Sequence, residues 1–349
     1  MAEVPPALWT AFAFVVGAAI GSFLNVVVYR LPRGQSLVSP GSRCPHCGHA
    51  LGAFENVPLL GFLWLRARCR HCGAPISWRY PLLEALTAAL FAVVVGTFGA
   101  DWLSVAYCLF GAALLVAFFV DLELFIIPDE VNAFALAVGV AYDVGRLAAG
   151  DPAHAAWGGW LPRSIGGAVV CACFFVVIQV IGLVLFKKEA MGDGDVKLAR
   201  AIGAMLPLGA AFVSFALAIA LGAVIGTVIV VWRRVAAQAH GSATEGEVEE
   251  DAGEPAPPSL GEVLLNGLAY ILFFDLLVTV AARAGAGWAR RMMHGEAGPT
   301  LEVEDDFRPG LTHIPFGPYM VVGALLSIFV GNSLLRWYLQ WALPGPSGM

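Results

Sequence analysis

The chain reads as an all-α polytopic membrane protein of about eight transmembrane helices, with one small polar domain between the first helix and the rest. Three observations lead there. Of 349 residues, 59% are hydrophobic and 13% charged, against roughly 25% charged in an average soluble domain. The apolar residues also form long runs without a single Asp, Glu, Lys or Arg: Leu8 to Tyr29, Leu103 to Val120, Ser164 to Phe186, Ala201 to Trp232 and Ile314 to Leu335. About 20 such residues, rising 1.5 Å each, cross a hydrocarbon core roughly 30 Å thick. Buried helices of soluble proteins are shorter and keep a polar face. The third observation is the sidedness of the arginines, which orients the spans.

Residues 1–29 form the first span. No Lys or Arg precedes Leu8, whereas Arg30, Arg33, Arg43, Arg66, Arg68, Arg70 and Arg79 follow it. A cleavable signal peptide has its positive charge first. The positive-inside rule instead puts the N-terminus outside and residues 30–81 in the cytoplasm. A helix bundle over 82–235 follows, with spans expected near 82–100, 102–122, 130–148, 163–186, 196–211 and 212–232. The run Ala201 to Trp232 is too long for one crossing, and Pro207 with Gly209 marks its turn. Lys187, Lys188, Lys197, Arg233 and Arg234 then fall on the cytoplasmic side, and Asp151 and Arg163 in an outer loop near 149–163.

Residues 236–312 interrupt this order. Glu245, Glu247, Glu249, Glu250, Asp251 and Glu254 cluster in a segment without Lys or Arg, which reads as an acidic loop too poor in apolar residues to fold alone. An apolar run over 261–283 carries Asp275 in its middle, and Arg283, Arg290 and Arg291 beyond it resist translocation. The run therefore either crosses against a weak charge bias or lies re-entrant or interfacial. A second acidic stretch, Glu302 to Asp306, precedes the final span and tail over 313–349. The net charge of −6 is local to these acids and signals no partner. No basic stripe with interleaved aromatics suggests nucleic acid; lipid is the expected surroundings.

Carboxylates at the edge of a bilayer are rare enough to be functional candidates. Asp121 ends one uncharged run, and Asp195 closes Gly192-Asp193-Gly194-Asp195 at the start of another. The span order puts both at one depth on the cytoplasmic side. An aspartyl protease needs two carboxylates that share one proton, one activating water while the other donates to the scissile carbonyl. Gly192 and Gly194 let a substrate strand approach without a Cβ in the way. The plainer alternative is a pair of solvated helix ends. An ion- or proton-coupled transporter also uses intramembrane carboxylates, but near the midplane and with internal repeats, and no repeat is visible here.

Cys44-x2-Cys47 and Cys69-x2-Cys72 have the spacing of a structural tetrathiolate zinc site. A reducing cytoplasm disfavours disulfides, and a segment this small gains from a metal staple. His46, His49 and His71 are reserve ligands. Cys108, Cys171 and Cys173 sit in apolar runs as small fillers.

Taken together, the motifs resemble those of the type IV prepilin peptidase family, GxGD-type intramembrane aspartyl proteases of the bacterial inner membrane. Gly21-Ser-Phe-Leu-Asn25 with Tyr29-Arg-Leu-Pro32 resembles the family's opening. The two Cys pairs running into Tyr80-Pro81-Leu-Leu-Glu84 resemble its cytoplasmic domain. Asp121 through Pro128-Asp129, and Gly192-x-Gly-Asp195-x-Lys197-Leu, resemble its catalytic pair, and Ile314-Pro-Phe-Gly-Pro-Tyr319 its closing motif. The resemblance implies Asp121 and Asp195 as the dyad, with Asp129, Glu123 and Asp193 as rivals. It implies cleavage of type IV prepilins or type II secretion pseudopilins at the cytoplasmic membrane face. It also implies methylation of the new N-terminus from S-adenosylmethionine, for which no dinucleotide-type glycine fingerprint is present; a cofactor pocket would have to be built otherwise, from the four-Cys segment and helix ends near Glu84. The insertion over 236–312 departs from the family. Because the closing motif belongs on the cytoplasmic side, 261–283 is expected to be re-entrant or interfacial, with both flanks cytoplasmic, and 240–312 dispensable for cleavage.

Overall fold

Pro5 and Pro6 open the first helix, α1 (Pro6–Arg30), at positions where a missing N–H leaves no bond unmade. The computed structural model of the protein describes residues 5–156, 161–187, 191–239, 258–283 and 315–342. The acidic loop, Arg290, Arg291, the stretch Glu302 to Asp306 and Ile314 lie outside the described residues. Helix α1 packs along α3 (Arg79–Phe98), reached through the thiol-bearing segment and its single turn of helix, α2 (Leu60–Trp64). The contact is made by small residues one turn apart: a Cβ on Gly17 would lie 2.8 Å from the Ala88 Cα, and one on Gly21 2.7 Å from the Glu84 Cα. Where no hydrophobic drive separates helix from lipid, such close backbone approach is what holds helices together.

Helix α4 (Trp102–Leu124) is the axis of the bundle, with 78% of its most apolar stretch buried by neighbours. Around it stand α5 (Asp129–Ala148), α6 (Arg163–Phe186), α7 (Asp193–Met205), α8 (Leu208–Ala239) and the last helix, α11 (Gly317–Ala342). Helices α8 and α11 run antiparallel, since Gly209 meets Leu335, Gly323 meets Ser214 and Gly222 meets Tyr319. The Ser327 hydroxyl donates to the Ala210 carbonyl at 2.6 Å across the same seam. At the end of the bundle remote from Asp121, two-residue strands β1 (Ala155–Ala156) and β2 (Leu161–Pro162) pair antiparallel, Ala155 with Pro162 and Ala156 with Leu161.

Among the described residues, seven helices are long and apolar enough to cross a membrane, or eight if one bent pair counts as a span. The expected crossing over 196–211 needs correction. Pro207 does mark the turn, but the helix before it has 13 residues, about 20 Å at 1.5 Å each, and is not one of the seven. It can be short because it never meets lipid on most of its surface: Val196, Leu198, Ala199, Ala201 and Ile202 are buried, and Gly167 of α6 and Gly139 of α5 press on its last turn.

The apolar run of the insertion forms α9 (Leu260–Ile271) and α10 (Phe274–Arg283), bent by 80° between them. Ser259 and Glu262 make a capping box at its start. Phe273 takes a left-handed conformation at the bend, φ 59°, where a bulky L-residue stands only if its surroundings demand it. The run is therefore not one straight span; a bend of this size fits a broken crossing as well as a re-entrant loop.

Candidate functional site

Asp121 lies in the last turn of α4, which Phe125 closes by donating its N–H to the Asp121 carbonyl from a left-handed cap. Its carboxyl is buried, 5% exposed. Beyond Phe125, Ile126-Ile127-Pro128 carry the chain round, and the Pro128 carbonyl accepts from the first turn of α5. Asp195 lies in the first turn of α7, its N–H bonded to the Gly192 carbonyl at 3.1 Å. Ile127 joins the two. A Cβ on Gly194 would sit 3.3 Å from the Ile127 Cβ, and one on Gly317, at the start of α11, 3.0 Å from the Ile127 Cδ1 and in collision with the Asp121 carboxylate.

The site is thus built where the end of α4 meets the starts of α7 and α11. The Gly317 N–H donates to Asp121, aided by the partial positive charge of a helix N-terminus. Burial, and next the charge of Asp121, push Asp195 up to about 7, against the Gly192 N–H that favours its anion. The two carboxyls thus lie near enough for the charge of one to act on the other.

The rival acids have other partners. Glu123 holds Arg79 through both oxygens at 2.7 and 2.6 Å. Asp129 takes Lys197 at 2.7 Å. Asp193 accepts from the Gln179 side chain at 3.3 Å. Each is a clasp between elements. Glu84 likewise accepts the Leu59 N–H at 2.7 Å, and the Asn25 amide donates to the Tyr80 carbonyl at 3.1 Å. The first bond ties the thiol-bearing segment to α3, and the second ties α1 to α3.

In that segment the two Cys pairs form matching knuckles. Cys44 N–H bonds the His49 carbonyl and Gly48 N–H the Cys44 carbonyl; Cys69 with Ala74, and Gly73 with Cys69, repeat the pattern. Gly48 and Gly73, at φ 70° and 72°, supply the left-handed step the turn requires. The four sulfurs of Cys44, Cys47, Cys69 and Cys72 lie within 4.8 Å of one another, with Cys44 and Cys72 at 3.9 Å. A tetrahedron with 2.3 Å metal–sulfur bonds has edges of about 3.8 Å, so the donor set fits a thiophilic divalent cation. The N–H groups of Cys47 and His46 pull Cys44 down to about 6. At Cys72 the Ala74 N–H works the same way, yet burial and the other three thiols push it up to about 11. Four thiolates cannot coexist here without a cation to balance them. His49 and His71 stack on each other, ring centroids 4.7 Å apart, and are not part of the cluster.

Two residues of the site were not singled out from sequence. Gly317 lay inside a recognised motif, where a glycine before proline at a helix start was the available signal. Ile127 had none beyond its apolar character.

A model of the bacterial peptidase A24 N-terminal domain matches residues 15–98, and one of the type IV leader peptidase family matches residues 108–227. A prepilin leader peptidase/N-methyltransferase of Myxococcus xanthus is 34% identical over 335 residues, covering 94% of this chain and 92% of its own. One of Aeromonas hydrophila is 35% identical over 360 residues, covering 96% and 95%. No solved structure matches.

Proposed function

The chain belongs to the type IV leader peptidase family, and from that premise we propose that it is an intramembrane aspartyl endopeptidase cleaving prepilin-type leaders, with Asp121 and Asp195 as its catalytic pair. The observation that carries this reading is the contrast in partners: these two carboxylates act on each other with no cation bonded to either among the described residues, while Glu123 and Asp129 are each held by one.

The chemistry follows from a shared proton. Near neutrality Asp195 retains it, because burial and the Asp121 anion oppose its loss. Asp121, held by the Gly317 N–H, takes a proton from water as the water oxygen attacks the scissile carbonyl. Asp195 gives its proton to the carbonyl oxygen, so that a neutral gem-diol forms. Return of that hydroxyl proton to Asp195, with transfer of the Asp121 proton to the amide nitrogen, expels the amine and restores the pair. Gly194 and Gly317, bare of side chains, let Ile127 and the Asp121 carboxylate close against their backbones, while a Cβ on Gly192 would meet nothing nearer than the Asp195 carboxylate at 3.9 Å, which leaves that side open to an extended peptide. Exposed apolar residues near this turn, Leu122 and Ile126, suit a substrate whose own helix arrives from the lipid.

Substrates would be type IV prepilins or type II secretion pseudopilins, cut at the cytoplasmic face of the bacterial inner membrane. The arginines between Arg30 and Arg79 support that orientation. The four cysteines would hold one structural Zn2+, with no open coordination position. Methylation of the new N-terminus would draw on S-adenosylmethionine, which supplies an electrophilic methyl group. A cleft of about 640 Å3 in the thiol-bearing segment offers exposed Phe54 and Trp64 beside Glu55, a set suited to a purine ring and ribose hydroxyls. The test is to incubate purified protein with a prepilin, with and without S-adenosylmethionine, and weigh the product. An uncleaved prepilin would overturn the reading; a cleaved product without the added methyl mass would remove the second activity alone.

A further inference from the structure

Arg200, on the same short helix as Asp195, is 1% exposed in the heart of the bundle. An arginine cannot shed its charge by losing a proton, so it must be matched. Its match comes from the insertion. Nη1 and Nη2 donate to the two oxygens of Asp275, both at 2.7 Å, and Nη1 also donates to the Tyr270 carbonyl at 2.8 Å. The guanidinium lies 5.3 Å from the centre of the Phe273 ring, the residue in the left-handed conformation at the bend. The bend itself therefore brings Tyr270, Phe273 and Asp275 together around one side chain.

One of the three, Tyr270, also reaches the turn that carries Asp195. The Tyr270 ring centre is 5.2 Å from the Lys197 ammonium, which holds Asp129, and its hydroxyl faces the Asp193 carboxylate. Asp193 and Lys197 flank Asp195 by two residues on either side. On its other face α9 is fixed to α6, where a Cβ on Gly267 would lie 2.7 Å from a Val176 methyl.

We propose that the bent helix pair of the insertion is a positioning clamp for α7, acting through Arg200–Asp275 and Tyr270 to hold Asp195 at its working distance from Asp121. A bidentate guanidinium–carboxylate pair fixes direction as well as distance, and α7 is too short to be held by its own ends. The sequence had suggested that 240–312 is dispensable; removing it would strip Arg200 of its partner and α7 of its brace. Asp275 and Arg200 are positioning residues and touch no substrate. The proposal rests on the reading of Asp195 as catalytic.

The experiment uses the full chain in lipid vesicles and three variants: Asp275→Asn, the charge-free pair Arg200→Met with Asp275→Leu, and Asp195→Asn as control. Readouts are kcat and KM for prepilin, the alkaline limb of the pH–rate profile, the thermal midpoint, and amide exchange along 197–203. Asp275→Asn is expected to lower kcat at least tenfold with KM within threefold. It should also displace the alkaline limb by at least half a pH unit and speed exchange in 197–203 at least tenfold. The charge-free pair carries no unmatched buried charge and should recover the thermal midpoint. It should keep the low kcat, the displaced limb and the fast exchange. It decides the matter if Asp275→Asn does not fold. Wild-type kcat and exchange in the charge-free pair, or in Asp275→Asn, would overturn the clamp. Cleavage by Asp195→Asn would instead overturn the dyad, while the exchange result would still decide whether the segment braces α7.

Discussion

The two ends of the bundle each bury an aspartate, and their difference lies in the partners that each end supplies. At one end Asp143 accepts from the His154 ring at 2.5 Å, from Arg163 at 3.1 Å and from the Ser164 N–H at 2.6 Å. It pins α5, the short strand turn and the start of α6 together. At the other end Asp121 and Asp195 take one backbone N–H each and act on each other, with no cation bonded to either among the described residues. Both sites desolvate a carboxylate. Only one supplies the cations that make an anion comfortable, and the uncompensated pair is left to trade a proton with whatever enters. The thiol cluster is a third case, where the missing positive charge is to come from a bound metal.

The most severe way to break this contrast is to remove the proton chemistry. Asp121→Asn and Asp195→Asn should each lower cleavage at least a thousandfold, about 4 kcal/mol of barrier, while the protein remains folded in the membrane. Prepilin cleavage per mole of membrane-extracted protein is the measurement, and near-normal rates in either variant would defeat the assignment.

Next comes geometry without charge. Gly317→Ala puts a methyl group into the Asp121 carboxylate. Displacing a catalytic group by an ångström costs about a hundredfold, and kcat should fall by that order with the carboxylates intact. Unchanged kcat would mean that Asp121 need not sit against α11.

The pH profile sharpens the contrast further. Asp195, pushed up to about 7, is protonated below that pH and anionic above it. Loss of its proton leaves no donor for the carbonyl oxygen, so cleavage should decline on the alkaline side, about tenfold per pH unit well above that point. A profile flat from about pH 6 to about pH 9 would contradict the shared proton.

The opposite end should answer differently. Asp143→Asn leaves Arg163 and His154 facing a neutral amide, and should cost about 2–3 kcal/mol of stability. Thermal unfolding would register it, with kcat per folded molecule unchanged; a fall in kcat would mean that the two ends are coupled. The smallest effect on cleavage is expected from Cys47→Ser with Cys72→Ser. Metal analysis should find zinc falling from about one per chain, with cleavage reduced less than methylation. Stoichiometric zinc in the variant lacking all four thiols would displace the ligand assignment.

Much of this was legible in the linear chain, for reasons of solvent and local spacing. A bilayer core tolerates few charges and satisfies no backbone polar groups, so spans announce themselves by apolar length. The two Cys knuckles are local turns, legible because ligands and glycine fall at fixed offsets. The pairing of Asp121 with Asp195 was foreseeable because span parity brings both to one depth, and their match to a family motif named them. The length of α7 was not legible: apolar composition ran on past Met205, and only enclosure by α5 and α6 makes a helix of 13 residues sufficient. Gly317 against Asp121, and Arg200 against Asp275 75 residues away, depend on how helices distant in sequence lean on one another. Composition and periodicity decide which segments leave water. Which side chain then meets which is set by packing at a few ångströms, a property of the assembled bundle alone.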